Sequence, residues 1–420
     1  MLIKDNNVKM AAKAYPSTGT EQPPVSINSI LIIGFGVLFT MLPVTMIVTV
    51  LKELVSIRYQ VDTFWAHAFM STSLAGAILF APFAGYIIDH VESRRLVIAS
   101  ALLGNAVCFF IMAIAPNFIT LMLARFIEGA MHITALSAWL ASGADLSPRG
   151  RSGRAMGALG GTIMLGVTIG VPLGGVLAKS NAGIVLWAAG FVSLATAVYA
   201  LIAMSRYTHR SDHGKDDFRA LIKENRWLSI PYAYTFIDRL CIGVVVSTFT
   251  LYMTDILQLS PAQRGGQLSF FLLPLALLCY PVGRLSDRIG RVWLMVIGST
   301  FFGAAFMSYG FLDLSILWIV MFISGVLSAI MFAPTLAMCK DLAPEEHYGT
   351  VFAGFNVAGS LGFVIGPLLG GGLFYFLSRS MDMIEAYRWT FVVAGFFEIL
   401  CAGITLPFLL RLYRNRTLAS

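Results

Sequence analysis

Six ionisable side chains lie inside long apolar runs, where a charge is costly and therefore informative. Arg125, Glu128 and His132 stand at i, i+3 and i+7 of one run, a spacing that puts all three on one helix face. Asp238 and Arg239 are neighbours in a second run, and Glu398 sits in a third. Adjacent helical residues point in different directions, so Asp238 and Arg239 each call for a partner on another helix. The chemistry open to such groups is proton exchange: an acid that gains and loses an arginine partner takes up and gives off a proton. The arginines could instead hold a carboxylate or phosphate of a bound compound. A structural ion pair of Arg125 with Glu128, with His132 as a neutral hydrogen-bonded neighbour, meets the same pattern. Either way the face must turn toward a bundle interior or an aqueous passage, because three ionisable groups cannot face lipid cheaply.

Other chemistries find no residues to carry them. Cys108, Cys241, Cys279, Cys339 and Cys401 are scattered through apolar runs without metal-ligand spacing, so they read as small core residues, and neither a metal site nor a disulfide framework is expected. No glycine loop with a lysine to cradle phosphates and no nucleophile constellation is visible. The chain is not expected to be an enzyme or to need a cofactor.

The elements that position these groups follow from composition. At 57% hydrophobic and 12% charged residues, against roughly 25% charged in ordinary soluble domains, the chain cannot cover a surface facing water. Twelve apolar runs are long enough to cross a bilayer, near 28–51, 63–88, 95–115, 118–142, 153–178, 183–204, 228–256, 264–283, 292–312, 315–339, 350–377 and 388–411. A span needs about 20 such residues. The expected fold is an all-α membrane protein with twelve transmembrane helices, and an even number of crossings returns both termini to one side.

Of the 29 Lys and Arg, 21 fall on the side of the termini and 6 on the other. That bias makes the termini cytoplasmic. The net charge of +7 then records orientation in the membrane, and no nucleic-acid partner is implied. The expected organisation is a cytoplasmic tail (1–27), an N-terminal six-helix bundle (28–204), a cytoplasmic linker (205–226), a C-terminal six-helix bundle (227–412) and a short tail (413–420). Residues 216–227 of the linker, DDFRALIKENRW, suit either a surface amphipathic helix or a solvated strand of chain.

The two bundles are expected to be pseudo-symmetric, because the halves repeat. GYIIDHVESRR begins at Gly85 and GRLSDRIGR at Gly283, 198 residues later. Further on, a shift of 196 superposes Gly129 on Gly325, Asp145 on Asp341, Pro148 on Pro344, and Gly166, Gly170 and Gly174 on Gly362, Gly366 and Gly370. Two residues therefore slip between the signatures and Gly129. Long internal repeats in an apolar chain are a mark of transporters.

The repeated signatures resemble the G-x-x-x-D-R-x-G-R-R pattern of the major facilitator superfamily. Gly283, Asp287, Arg288, Gly290 and Arg291 match in the second copy; the first keeps Gly85, Asp89 and Arg94 but has His90, Glu92 and Ser93 where the pattern has Arg, Gly and Arg. The resemblance implies a cytoplasmic charge cluster that latches the two bundles in one conformation and releases them in the other. Arg125 and Gly129 are similar to the family's R-x-x-x-G pattern of the fourth span. GFVIGPLLGG, from Gly362 through Gly366, Pro367 and Gly370, resembles the family's proton-antiporter pattern; the fifth-span copy has its proline one place later, at Pro172. Close helix packing explains both copies equally well. The first span lacks the acid that several drug exporters of the family carry there, which leaves Glu128 and Asp238 as the better proton-binding candidates. The family's twelfth helix usually lies outside the passage, so a structural role for Glu398 stands beside a coupling one.

The function expected on these grounds is secondary active transport by alternating access, as proton-coupled efflux of an amphipathic or drug-like compound. A carrier of a specific anionic metabolite and a non-transporting scaffold or receptor are the alternatives. The partners expected are a small-molecule substrate, protons and the lipid bilayer. The working unit is expected to be a monomer in a bacterial inner membrane.

Overall fold

In lipid a backbone must satisfy its own hydrogen bonds, which leaves the α-helix as the form for an isolated span. The computed structural model describes residues 27–50, 54–55, 58–61, 64–147, 152–178, 181–204, 225–259, 261–344 and 347–417. Among them are twelve helices long and apolar enough to cross a membrane. The N-terminal bundle holds α1 (Ile27–Met46), α2 (Phe64–His90), α3 (Arg94–Ile114), α4 (Phe118–Asp145), α5 (Ser152–Leu177) and α6 (Gly183–Ala203). The C-terminal bundle holds α7 (Arg226–Asp255), α8 (Pro261–Ile289), α9 (Arg291–Ser308), α10 (Leu314–Leu342), α11 (Tyr348–Leu377) and α12 (Met383–Thr417). The tail before residue 27, Pro148, nearly all of the linker and the last three residues lie outside the described residues.

The repeat is written into the packing. An added Cβ on Gly129 of α4 would strike the carbonyl of Ser73 on α2, and one on Gly325 of α10 would strike the carbonyl of Phe271 on α8. The glycines obey the shift of 196 and their targets the shift of 198. The same holds for α5 against α1, where Gly166 and Gly170 face the carbonyls of Leu38 and Leu42, and for α11 against α7, where Gly362 and Gly366 face Phe236 and Leu240. Backbone lies on backbone at each crossing, which only small residues permit.

Both first helices of the bundles leave regular α geometry at related points. Past Pro43, α1 tightens into a 3-10 turn at Ile47–Val50, and α7 widens into a π turn at Val245–Phe249.

The crossing at Gly174, whose Cβ would meet the carbonyl of Met46, offers a test of this packing. Gly174→Leu is expected to lower the unfolding free energy by about 3 kcal/mol, because neither backbone can yield. Gly371, with nothing within 4 Å of its Cβ position, tolerates leucine with a change within about 0.5 kcal/mol. Unfolding midpoints of the two variants in detergent check the contrast.

The bundles meet along α5 against α8 and α10, and along α11 against α2 and α4. Ala77 and Ala81 of α2, Ile133 of α4 and Ala353 of α11 form one apolar patch across this seam, and Asn356 of α11 donates to Ser137 Oγ of α4 at 3.0 Å.

Candidate functional site: buried charge pairs behind a two-fold latch

The close crossing of α2 and α4 builds the first charge site. Asn117 caps α4 by accepting from the Thr120 amide at 2.8 Å. Two turns on, Arg125 and Glu128 face α2. Because Gly129 and Gly76 let the two backbones touch, Ser73 of α2 reaches Glu128 and donates to its Oε2 at 2.9 Å. Arg125 Nη1 binds the same oxygen at 2.7 Å. The guanidinium lies 5.0 Å from the centre of the Phe69 ring and 3.7 Å from Met70 Sδ. Arg125 is 1% exposed and Glu128 fully enclosed. Among the described residues, Glu128 Oε1, Arg125 Nε and His132 Nδ1 are buried without a hydrogen-bond partner. These three polar atoms stand along one helix face.

The C-terminal bundle places Asp238 and Arg239 differently. Asp238 is enclosed and accepts from Ser328 Oγ of α10 at 3.2 Å. Arg239 Nε stands 3.8 Å from Asp238 Oδ2, and its guanidinium lies 4.9 Å over the Phe332 ring of α10. Each therefore has a partner on α10, besides a loose pairing with the other. Glu398 is enclosed between α12 and α9, where Ser299 Oγ donates to its Oε1 at 2.7 Å; its Oε2 has no partner among the described residues. The structure does not bring Glu398 to the seam.

At the end of the molecule that carries residues 27 and 417, the two signatures form matching contacts between bundles. Asp89, at the end of α2, accepts from the amides of Gly349 and Thr350 at 2.6 and 2.8 Å, in the first turn of α11. Asp287, near the end of α8, accepts from the amides of Gly153 and Arg154 at 2.8 and 2.9 Å, in the first turn of α5. A carboxylate there satisfies donors with no helical partner and meets the positive end of the helix dipole. Gly85 and Gly283 admit the partner helices, since a Cβ on either would strike the Thr350 Cα or the Gly153 carbonyl. Gly290 has φ 89°, a left-handed turn into α9 that glycine takes at no steric cost.

The two arginines of the signature pair within their own bundles: Arg94 with Asp145, and Arg291 with Asp341 at 2.7 Å. Arg291 also crosses the seam to Ser152 Oγ at 2.6 Å, and that hydroxyl donates to Asp341. Arg288 is exposed. In the first copy His90 stacks on Tyr86 at 4.0 Å, away from the contacts of Asp89. The departures from the family pattern thus spare the contacts of Asp89 with α11.

Sequence reasoning missed several contributors. Ser73 and Ser328 hold the two buried acids, and nothing in their local sequence marks them. Lys340 of α10 is 3% exposed and donates to the carbonyl of Ser147 in the opposite bundle at 2.5 Å. A lysine at the end of an apolar run was a signal available for it. Among the described residues no cluster of His, Cys, Asp or Glu could hold a metal.

The sequence profile described as Major Facilitator Superfamily matches residues 25–234 and again 232–419. The chain belongs to the major facilitator superfamily. This transporter is 26% identical to a tetracycline resistance protein, class G, of Vibrio anguillarum, over 88% of its own length and 93% of the relative's. It is 24% identical to a multi-drug resistance efflux pump PmrA homolog of Lactococcus lactis, over 79% of its length and 85% of the relative's. Its fold matches that of the human organic anion transporter MFSD10 with a TM-score of 0.70 at 18% identity, covering 90% of this transporter and all of that chain.

Proposed function

We propose that this transporter exports small amphipathic compounds in exchange for protons, by rocking its two bundles about the seam. The observation that carries the reading is Glu128, an enclosed acid held by one arginine and one serine with its second oxygen unused. Proton uptake on the unused oxygen removes the charge that holds Arg125 and leaves the other oxygen a weaker acceptor toward Ser73. Ser73 and Asp89 lie on the same helix, so a shift of α2 at Ser73 is carried to the latch on α11.

The excess of basic residues on the loops beside the termini supports a cytoplasmic latched end. The latched form is then open to the outside, where a compound leaves and a proton binds. Release of Asp89 and Asp287 from α11 and α5 opens the cytoplasmic side, where the proton departs and the next compound enters. The expected membrane is the bacterial inner membrane, with a monomer as the working unit. Both relatives named above are resistance or efflux proteins, which supports export as the direction.

Proteoliposomes with an imposed pH gradient test the proposal, using a panel of fluorescent amphipathic compounds of each charge type. Wild type is expected to drive at least one of them against its gradient, and Glu128→Gln to lose that drive while retaining downhill exchange. Proton-driven exchange left unchanged by both Glu128→Gln and Asp238→Asn would sink the reading.

A further inference from the structure

We propose that Arg239 is the substrate-binding cation of the passage, and that the compounds it takes are amphipathic organic anions. Their carboxylate or sulfonate would sit on the guanidinium. The assignment rests on the transport reading above and names the substrate class for it.

The two intramembrane arginines differ in a way that decides between them. Arg125 is 1% exposed and bonded at 2.7 Å to its acid; it is already paired and closed off. The Arg239 side chain is 19% exposed, its nearest acid oxygen is 3.8 Å away, and among the described residues neither of its terminal nitrogens makes a hydrogen bond. A guanidinium carries five donors in a planar fork that matches a carboxylate. A fork on the exposed side of the residue is open to water and to an anion that can displace it.

Its surroundings locate the exposed side. Arg239 stacks on Phe332 of α10, and a Cβ on Gly359 of α11 would lie 3.4 Å from its Cγ, so its stem runs between those two helices. The Phe332 ring in turn reaches α5 of the other bundle, where a Cβ on Gly160 would be 3.0 Å from it. Phe355 of α11 stands 6.4 Å from Phe332, ring to ring. The guanidinium therefore lies beside the seam between bundles, backed by the buried rings of Phe332 and Phe355. The acid neighbour cannot offer the opposite specificity: the Asp238 side chain is 2% exposed and engaged by Ser328. A cationic compound would meet Arg239 first. An anion competes with Asp238 for Arg239, and at 3.8 Å Asp238 makes no short hydrogen bond to the guanidinium that the anion would have to break.

The test is isothermal titration calorimetry on the purified full chain in detergent, with three probes that share one ring: 2-naphthoate, 2-naphthamide and trimethyl(2-naphthyl)ammonium. Naphthoate is expected to bind about tenfold or more tighter than the amide, as a charge-assisted bidentate bond implies, and the ammonium more weakly than either. Arg239→Gln should erase the preference while the amide affinity holds, Arg239→Lys should keep part of it, and Asp238→Asn should tighten naphthoate by removing its competitor. Equal affinities, a preference for the ammonium, no binding of any probe, or a preference that survives Arg239→Gln would each overturn the assignment. The unchanged amide affinity guards against misfolding of the variant. Failure of the proton-exchange reading shows separately, as flux unchanged in Glu128→Gln, and leaves the binding preference standing.

Discussion

Alkylation of Cys279 by a maleimide is expected to accelerate about a hundredfold when Asp89 and Asp287 are both replaced by asparagine. Cys279 of α8 is buried where Gly157 and Gly161 of α5 press against it, so a reagent reaches it only when the latched end opens. Asparagine keeps one acceptor oxygen but loses the charge that meets two first-turn amides and the helix dipole. A loss of about 1.4 kcal/mol at each latch lies within the range for an anion at a helix N-terminus, and each such loss is a tenfold change in population. The two latches sit on different helices, so their effects add, and each single variant should show about a tenfold acceleration. Peptide mass spectrometry after timed labelling reads the rate at this cysteine alone. A double variant that reacts no faster than wild type would show that Lys340, Arg291 and the apolar seam hold the bundles without the aspartates.

Removing Arg125 is the second large effect. Glu128 is fully enclosed, and Arg125→Met leaves it with Ser73 and His132 as its polar neighbours among apolar side chains. Breaking a buried pair from one side costs about 3–5 kcal/mol, whereas exchanging both partners for neutral groups is close to neutral. Arg125→Met is therefore expected to unfold far more readily than wild type, and the double variant Arg125→Met, Glu128→Gln to regain most of that stability. Neither should perform proton-driven exchange. A folded protein that is stable without a proton-binding acid separates stability from function at this site. Equal stability of the single and double variants in an unfolding titration would mean that Glu128 is not held as a charge.

The parts of this architecture that depend on apolar length and on the repeat were legible in advance. Twelve runs gave twelve helices, and the slip of two residues between Gly85/Gly283 and Gly129/Gly325 reappears as crossings in which glycines and their targets follow different shifts. The aspartates of the signatures were expected to act as a latch through family resemblance, but the amides that bind them were not foreseen. Gly349 and Gly153 offer backbone amides, which carry no side-chain signal. The partners of the buried acids, Ser73 and Ser328, were invisible for a related reason: a serine in a span is common, and only the crossing of two helices selects one of them. Adjacent Asp238 and Arg239 were expected to find separate partners because neighbours on a helix diverge. The structure gives them Ser328 and Phe332, both on α10, at the two ends of a single turn. Exposure was the property least readable from sequence. Arg125 and Arg239 look alike in their runs, and only the packing encloses one and leaves the other facing the seam.

The measurement closest to the central claim is infrared difference spectroscopy of the reconstituted transporter through an acid-to-alkaline titration. A protonated carboxyl group gives a C=O band that an ionised one lacks. The account predicts in wild type a component of that band whose midpoint coincides with the midpoint of transport rate against pH, lost in Glu128→Gln and retained in Glu398→Gln. A band unchanged in Glu128→Gln, or a Glu128 that stays ionised across the whole range in which transport depends on pH, contradicts it.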